Sequence, residues 1–151
     1  MPPYYVKDPK EIYERIISSR NNFSSKNNCF GNTLYLIGLA VKEMFVPPDY
    51  PKTVNLLEEC AEEESTIISL ETFRGCQRKI LHTFLIDPLD REVVYCRCGI
   101  RGGFMEAKRD FALMHYSEAA KEAGIEMDVK YCKESPQGIS ELLKDIERLR
   151  I

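Results

Sequence analysis

Residues 79–87 (KILHTFLID) and 92–98 (EVVYCRC), joined through Pro88-Leu89-Asp90-Arg91, decide the fold. Both runs are rich in β-branched and aromatic residues, and Pro-Leu-Asp is a turn signal. Together they predict a β-hairpin. The first run is apolar at nearly every position, which suits a strand covered on both faces. His82 sits in its middle.

The neighbouring segments extend the pattern. Ser65–Phe73 carries Thr66, Ile67 and Ile68 and predicts another strand, with Arg74-Gly75 as its turn. After the hairpin, GIRGGF (99–104) reads as a glycine-rich loop. Asp110–Ala123 predicts a helix closed by Gly124, and Met127–Cys132 alternates like a strand. A last helix begins at Ser135 or Pro136, with Ile139, Leu142, Leu143, Ile146 and Leu149 on one face. That stripe suits a core helix or a dimer face.

Toward the N-terminus the period is helical. Asp8 caps a helix over Asp8–Arg20, with Pro9 at its first position, Glu11 three residues after the cap, and Ile12, Ile16 and Ile17 as its apolar stripe. NNFSSKNN (21–28) is a polar loop. Cys29–Phe45 predicts a helix buried on most sides, capped by Asn27 or Asn28 and stopped by Pro47-Pro48. Lys52–Glu64 reads as an exposed helix whose glutamates form a solvated face. The order of elements predicts an α+β domain: N-terminal helices, including the one that carries Cys29, packed on a small antiparallel sheet.

Length and composition bound the function. A chain of 151 residues reads as one domain over 1–151, with residues 1–7 poorly ordered. With 44% apolar and 30% charged residues it is neither a disordered chain nor a collagen. A net charge of −3 argues against sequence-independent binding to nucleic acid, which needs a basic surface. No apolar run reaches the ~20 residues that cross a bilayer, and the N-terminus lacks the regions of a signal peptide. A cytoplasmic location is therefore expected, and there the six cysteines are thiols, thiolates or metal ligands before they are disulfides.

Cys29 stands apart because it follows a polar loop and opens a buried helix. Free N–H groups and the positive end of the helix dipole favour a thiolate there. Its own amide, with Asn27 and Asn28, is placed to hold an oxyanion, and Gly31 allows close approach of a substrate or of another backbone. A base must come from the chain's two histidines. His115 falls in a predicted helix; His82, on a stiff central strand, is the better candidate. A core histidine bonded to backbone is the alternative. The group that orients the imidazole belongs on the neighbouring strand, where the expected register sets Tyr95 or Arg97 opposite His82. Tyr95 can accept a hydrogen bond; Arg97 cannot, and is expected with Asn27, Asn28 and Gly31 as an oxyanion or substrate contact.

These residues resemble a known family. Asn28-Cys29-Phe30-Gly31, with Tyr35 in the same helix, is similar to the Asp-Cys-Ser-Gly…Tyr start of the catalytic helix in NlpC/P60-type cysteine peptidases, of the papain-like group. His82-Thr-Phe-Leu-Ile-Asp87 is similar to that family's histidine strand. The resemblance covers about Asn28 to Gly103. Asn28 stands for the family's Asp, Phe30 for its Ser, and Tyr95 for its third polar residue. The family's upstream tyrosine has no equivalent, since Tyr13 comes too early. The resemblance implies a papain-like fold and a cysteine hydrolase that cuts an amide, peptide or thioester bond in a peptide or small amide substrate, without a cofactor. Cys29 would be the nucleophile and His82 the base.

Two alternatives remain open. One is a catalytically inactive papain-like module that binds a partner or small ligand. The other is a metal or redox thiol protein using Cys96-Arg97-Cys98, though paired hooks for a zinc site are missing. GIRGGF lacks the lysine and hydroxyl of a phosphate-binding loop. Neither nucleic acid nor membrane is an expected partner, and the oligomeric state is open.

Overall fold

The computed structural model describes residues 8–21, 29–37, 57–75, 77–98, 103–135, 137, 138, 140, 141 and 144. The expected disorder of residues 1–7, the cap residues Asn27 and Asn28, and the apolar stripe of the last helix all lie outside them.

The domain is α+β, with a six-stranded antiparallel sheet and helices on both of its faces. Helices α1 (Pro9–Arg20) and α2 (Cys29–Leu36) precede strand β1 (Leu57–Glu59). Strands β2 (Ile67–Arg74), β3 (Gln77–Ile86), β4 (Val93–Cys98) and β5 (Gly103–Lys108) follow as a meander. Helix α3 (Arg109–Glu122) then returns the chain across the sheet to β6 (Asp128–Glu134). The strand order is β1-β6-β2-β3-β4-β5.

Local chemistry explains most boundaries. Asp8 Oδ1 accepts from the Glu11 amide at 3.0 Å and starts α1. Its inward face is Ile12, Ile16 and Ser19; Ile17, expected in the stripe, is 56% exposed. The 12–16–19 spacing lets a serine, not an isoleucine, complete the buried face. Helix α3 ends as expected at Gly124, whose φ of +70° permits two reverse bonds: Gly124 N–H to Lys121 O and Ile125 N–H to Ala120 O.

Two segments differ from expectation. Leu57–Glu59, expected in a helix, is an edge strand paired with Cys132–Glu134. Glutamate-rich local propensity yields there to sheet pairing. Gly103–Lys108, whose first residues read as loop, is a full strand paired along β4.

The sheet separates two cores. Against α1 and α2 lie Ile67, Ile80, Leu85 and Tyr95, with Phe30, Leu34 and Ile37 from the helix side. Against α3 lie Ile68, Leu70, Phe84, Ile86, Val94 and Cys96. Within β3 the alternation is interrupted. Leu70 pairs with His82, but Glu71 pairs with Ile80, so Leu81 is an extra residue in a β-bulge. Ile80 faces α1 and α2, whereas Leu81 and Phe84 belong to the α3 side.

Candidate functional site

Cys29 is the first residue of α2 and is half-buried. Its carbonyl accepts from the Thr33 hydroxyl at 2.9 Å. Thr33 in turn meets the Thr83 hydroxyl at 3.2 Å. Burial pushes the Cys29 thiol up, and hydrogen bonding with Thr83 offsets only part of that. The group is a thiol rather than the expected thiolate, because desolvation disfavours the charged form more than the start of the helix favours it.

His82 is elsewhere. Its ring stacks on Tyr116 of α3 at 4.5 Å between centroids and meets Phe84 edge-on at 4.7 Å. Successive strand residues point to opposite faces. Thr83 faces α2 and Cys29, so His82 faces α3. The expected dyad of Cys29 and His82 is therefore not assembled: the sheet lies between them. His82 is 6% exposed, its Nε2 has no hydrogen-bond partner, and burial lowers its pKa to about 4. It is a neutral core histidine at physiological pH. His115 is exposed on α3, on that same side of the sheet.

The expected third residue fails for the same geometric reason. Leu85 pairs with Tyr95 and Ile86 with Val94. This register differs by an odd number of residues from one that opposes His82 to Tyr95 or Arg97, and an odd slip exchanges the two faces. Tyr95 and Arg97 consequently share the α1/α2 face. Tyr95 donates to Asp87 Oδ2 at 2.6 Å, and Tyr13 of α1 donates to Oδ1 at 2.5 Å. The amides of Leu89 and Asp90 also donate to Asp87, at 2.8 and 2.9 Å. Burial alone would raise that carboxyl; the four donors outweigh it and hold it below the usual carboxylate range. Tyr13 is pushed up to about 12 by burial and by its bond to Asp87.

Arg97 is 1% exposed. Its Nη2 donates to the Ser19 carbonyl at 2.7 Å and to the Ser19 hydroxyl at 3.1 Å. Asn32 Nδ2 donates to the same hydroxyl at 2.6 Å. Gly31 is buried within α2. With Ser69, paired to Thr83 across the β2–β3 ladder, these side chains form a buried polar seam beneath α1 and α2. A guanidinium is tolerated there because it is hydrogen-bonded.

Sequence reading found Cys29, Tyr95 and Arg97 on this seam but missed Ser19, Asn32, Thr33, Thr83 and Asp87. Only Asp87 had a local signal, an acceptor placed just before Pro88 in a turn. Among the described residues, no group of three or more His, Cys, Asp or Glu side chains converges as metal ligands would. The thiols of Cys29, Cys60, Cys96 and Cys132 are not joined in disulfides. No helix among the described residues is long and apolar enough to cross a membrane.

Comparison with known protein families, with curated proteins and with solved structures finds no match.

Proposed function

We propose that this chain is a non-catalytic α+β module that binds a partner or small ligand. The observation that carries the reading is the opposed direction of two adjacent side chains. Thr83 meets the Cys29 helix, while His82 stacks on Tyr116 of α3. A cysteine hydrolase needs a base within hydrogen-bond reach of its thiol. The chain's two histidines both lie on the far side of the sheet, and the thiol itself is held protonated. The papain-like reading of the fold draws support from the Cys-bearing α2 lying on an antiparallel sheet. The hydrolase reading draws none from His82.

Alkylation by iodoacetamide at pH 6.5 tests the proposal. Cys29 is expected to react no faster than an unperturbed thiol, and His82→Ala is expected to leave its rate unchanged. Selective alkylation of Cys29, abolished by His82→Ala, would overturn the proposal and restore the hydrolase.

A further inference from the structure

Strand β5 ends the sheet. Among the described residues only β4 pairs with it, along its whole length, and no strand pairs with its outer edge. Two backbone bonds fix which groups that edge presents. The Arg109 amide donates to the Glu92 carbonyl at 2.6 Å, and the Asp87 amide to the Val93 carbonyl at 2.9 Å. With Val93 opposite Lys108, the first bond continues the β4–β5 ladder and the second turns Val93 toward β3. Hydrogen-bonded and non-hydrogen-bonded pairs alternate along an antiparallel ladder. Gly103, Met105 and Ala107 therefore point their backbone groups at β4, while Phe104, Glu106 and Lys108 point theirs outward.

Charged side chains usually guard an open edge against pairing. Here the charges complement an inverted copy of the same strand. Glu106 and Lys108 lie on the α1/α2 side, opposite Tyr95 and Val93 of β4. An antiparallel copy must bring outward-pointing residues together. Phe104 opposite Glu106 gives the carboxylate no counter-charge from the copy. Glu106 opposite Glu106 sets like charges together, which destabilises a pair. Glu106 opposite Lys108 makes an opposite-charge pair on each side of the two-fold axis. That register also sets Ala107 against Ala107 on the axis, a small residue where the strands come closest. Arg20 holds Glu106 only through Oε1, at 3.1 Å, and the glutamate side chain is 53% exposed, so a second cation can reach it. On the α3 side, Met105 and Phe111 are 41% and 62% exposed and border a hollow of about 40 Å³, with Ala107 and Ala112 in its wall. The same register places Met105 of the copy opposite Arg109, next to the first turn of α3, which carries Phe111.

We propose that the chain forms a two-fold dimer by antiparallel pairing of β5 with β5 of a second copy, Glu106 opposite Lys108, which joins the two sheets into one. The apolar rim of Met105 and Phe111 is covered from both sides of the axis. β5 contributes no side chain to the Cys29 seam, so the pairing stands or falls apart from the non-catalytic reading.

Sedimentation equilibrium of the full chain tests this. A short edge contact lies at the small end of specific interfaces, so dissociation is expected at roughly 100 μM, within a series from about 10 μM to about 1 mM. Amide ¹H–¹⁵N shifts should move with concentration at Phe104, Glu106 and Lys108, and far less at Met105 and Ala107, whose amides already face β4. Glu106→Gln should weaken the dimer about tenfold, because both charge pairs are lost at once. Glu106→Lys and Lys108→Glu should each be monomeric alone, and an equimolar mixture should dimerise, since every charge pair is then lysine opposite glutamate. A chain still monomeric at the highest concentration, a dimer whose shifts fall outside β5 and the start of α3, or a Glu106→Gln dimer as tight as the original would overturn the proposal.

Discussion

The two faces of the sheet are built on different principles. The α1/α2 face combines an apolar cluster with polar side chains that hold one another: Arg97 with Ser19, Asn32 with Ser19, and Asp87 with Tyr13 and Tyr95. The α3 face is apolar and aromatic, and its one buried imidazole has an unbonded Nε2. Only Ala112 of α3 is itself fully buried, while Phe111 and Met114 are more than half exposed. The contrast teaches that a buried titratable group is useful for chemistry only where partners converge on it. Partners converge on Asp87 and Arg97, which serve the fold, and not on His82.

The strongest way to break the comparison is to empty each core in turn. Phe84→Ala, which removes the ring that contacts both His82 and Tyr116, should cost about 3–5 kcal/mol in urea unfolding. Leu34→Ala on the other face should cost about 2–5 kcal/mol. A loss below 1 kcal/mol for Phe84→Ala would mean that α3 is not docked as described.

Acid sharpens the contrast next. The unfolded chain protonates His82 near 6.5, but the folded chain resists until about 4. Between those values the unfolded state binds more protons, so stability falls as pH falls from 6.5 to 4 and levels off below. The shift corresponds to about 3 kcal/mol. His82→Leu should flatten that window. The acid loss that survives in the variant belongs to carboxylates such as Asp87, whose depressed pKa contributes stability that disappears at still lower pH. An unchanged pH profile for His82→Leu would contradict a buried neutral imidazole.

Asp87→Ala tests the polar side. It strands the Tyr95 hydroxyl and frees the Leu89 and Asp90 amides, and should cost about 2 kcal/mol. Tyr13→Phe, which removes one of the four donors, should cost about 1 kcal/mol by the same measurement. The smallest effect belongs to Ile17→Ser, which alters a side chain that faces solvent and should change stability by less than about 0.5 kcal/mol.

Several elements were legible without coordinates because their signals are local. Asp8-Pro9 with Glu11 starts α1, Gly124 ends α3, and the runs at 79–87 and 92–98 are strands. β5 was not legible, since Gly103-Phe-Met-Glu-Ala-Lys108 has no β-branched residue and follows a glycine-rich run. β1 was not legible either: three residues acquire strand form only by pairing with β6.

The candidate site divides in the same way. The sequence by itself determined that Cys29 opens a helix, that His82 lies mid-strand, and that the two belong to elements in contact. It could not determine that they face apart. Ile80 to Ile86 is apolar on both sides, so alternation along the run carries no mark of which side meets which helix. That choice depends on the pairing of Leu85 with Tyr95 and of Leu70 with His82, both set by contacts between segments distant in the chain. Strand geometry has a period of two, so a one-residue change of register is enough to turn a candidate base into a core side chain.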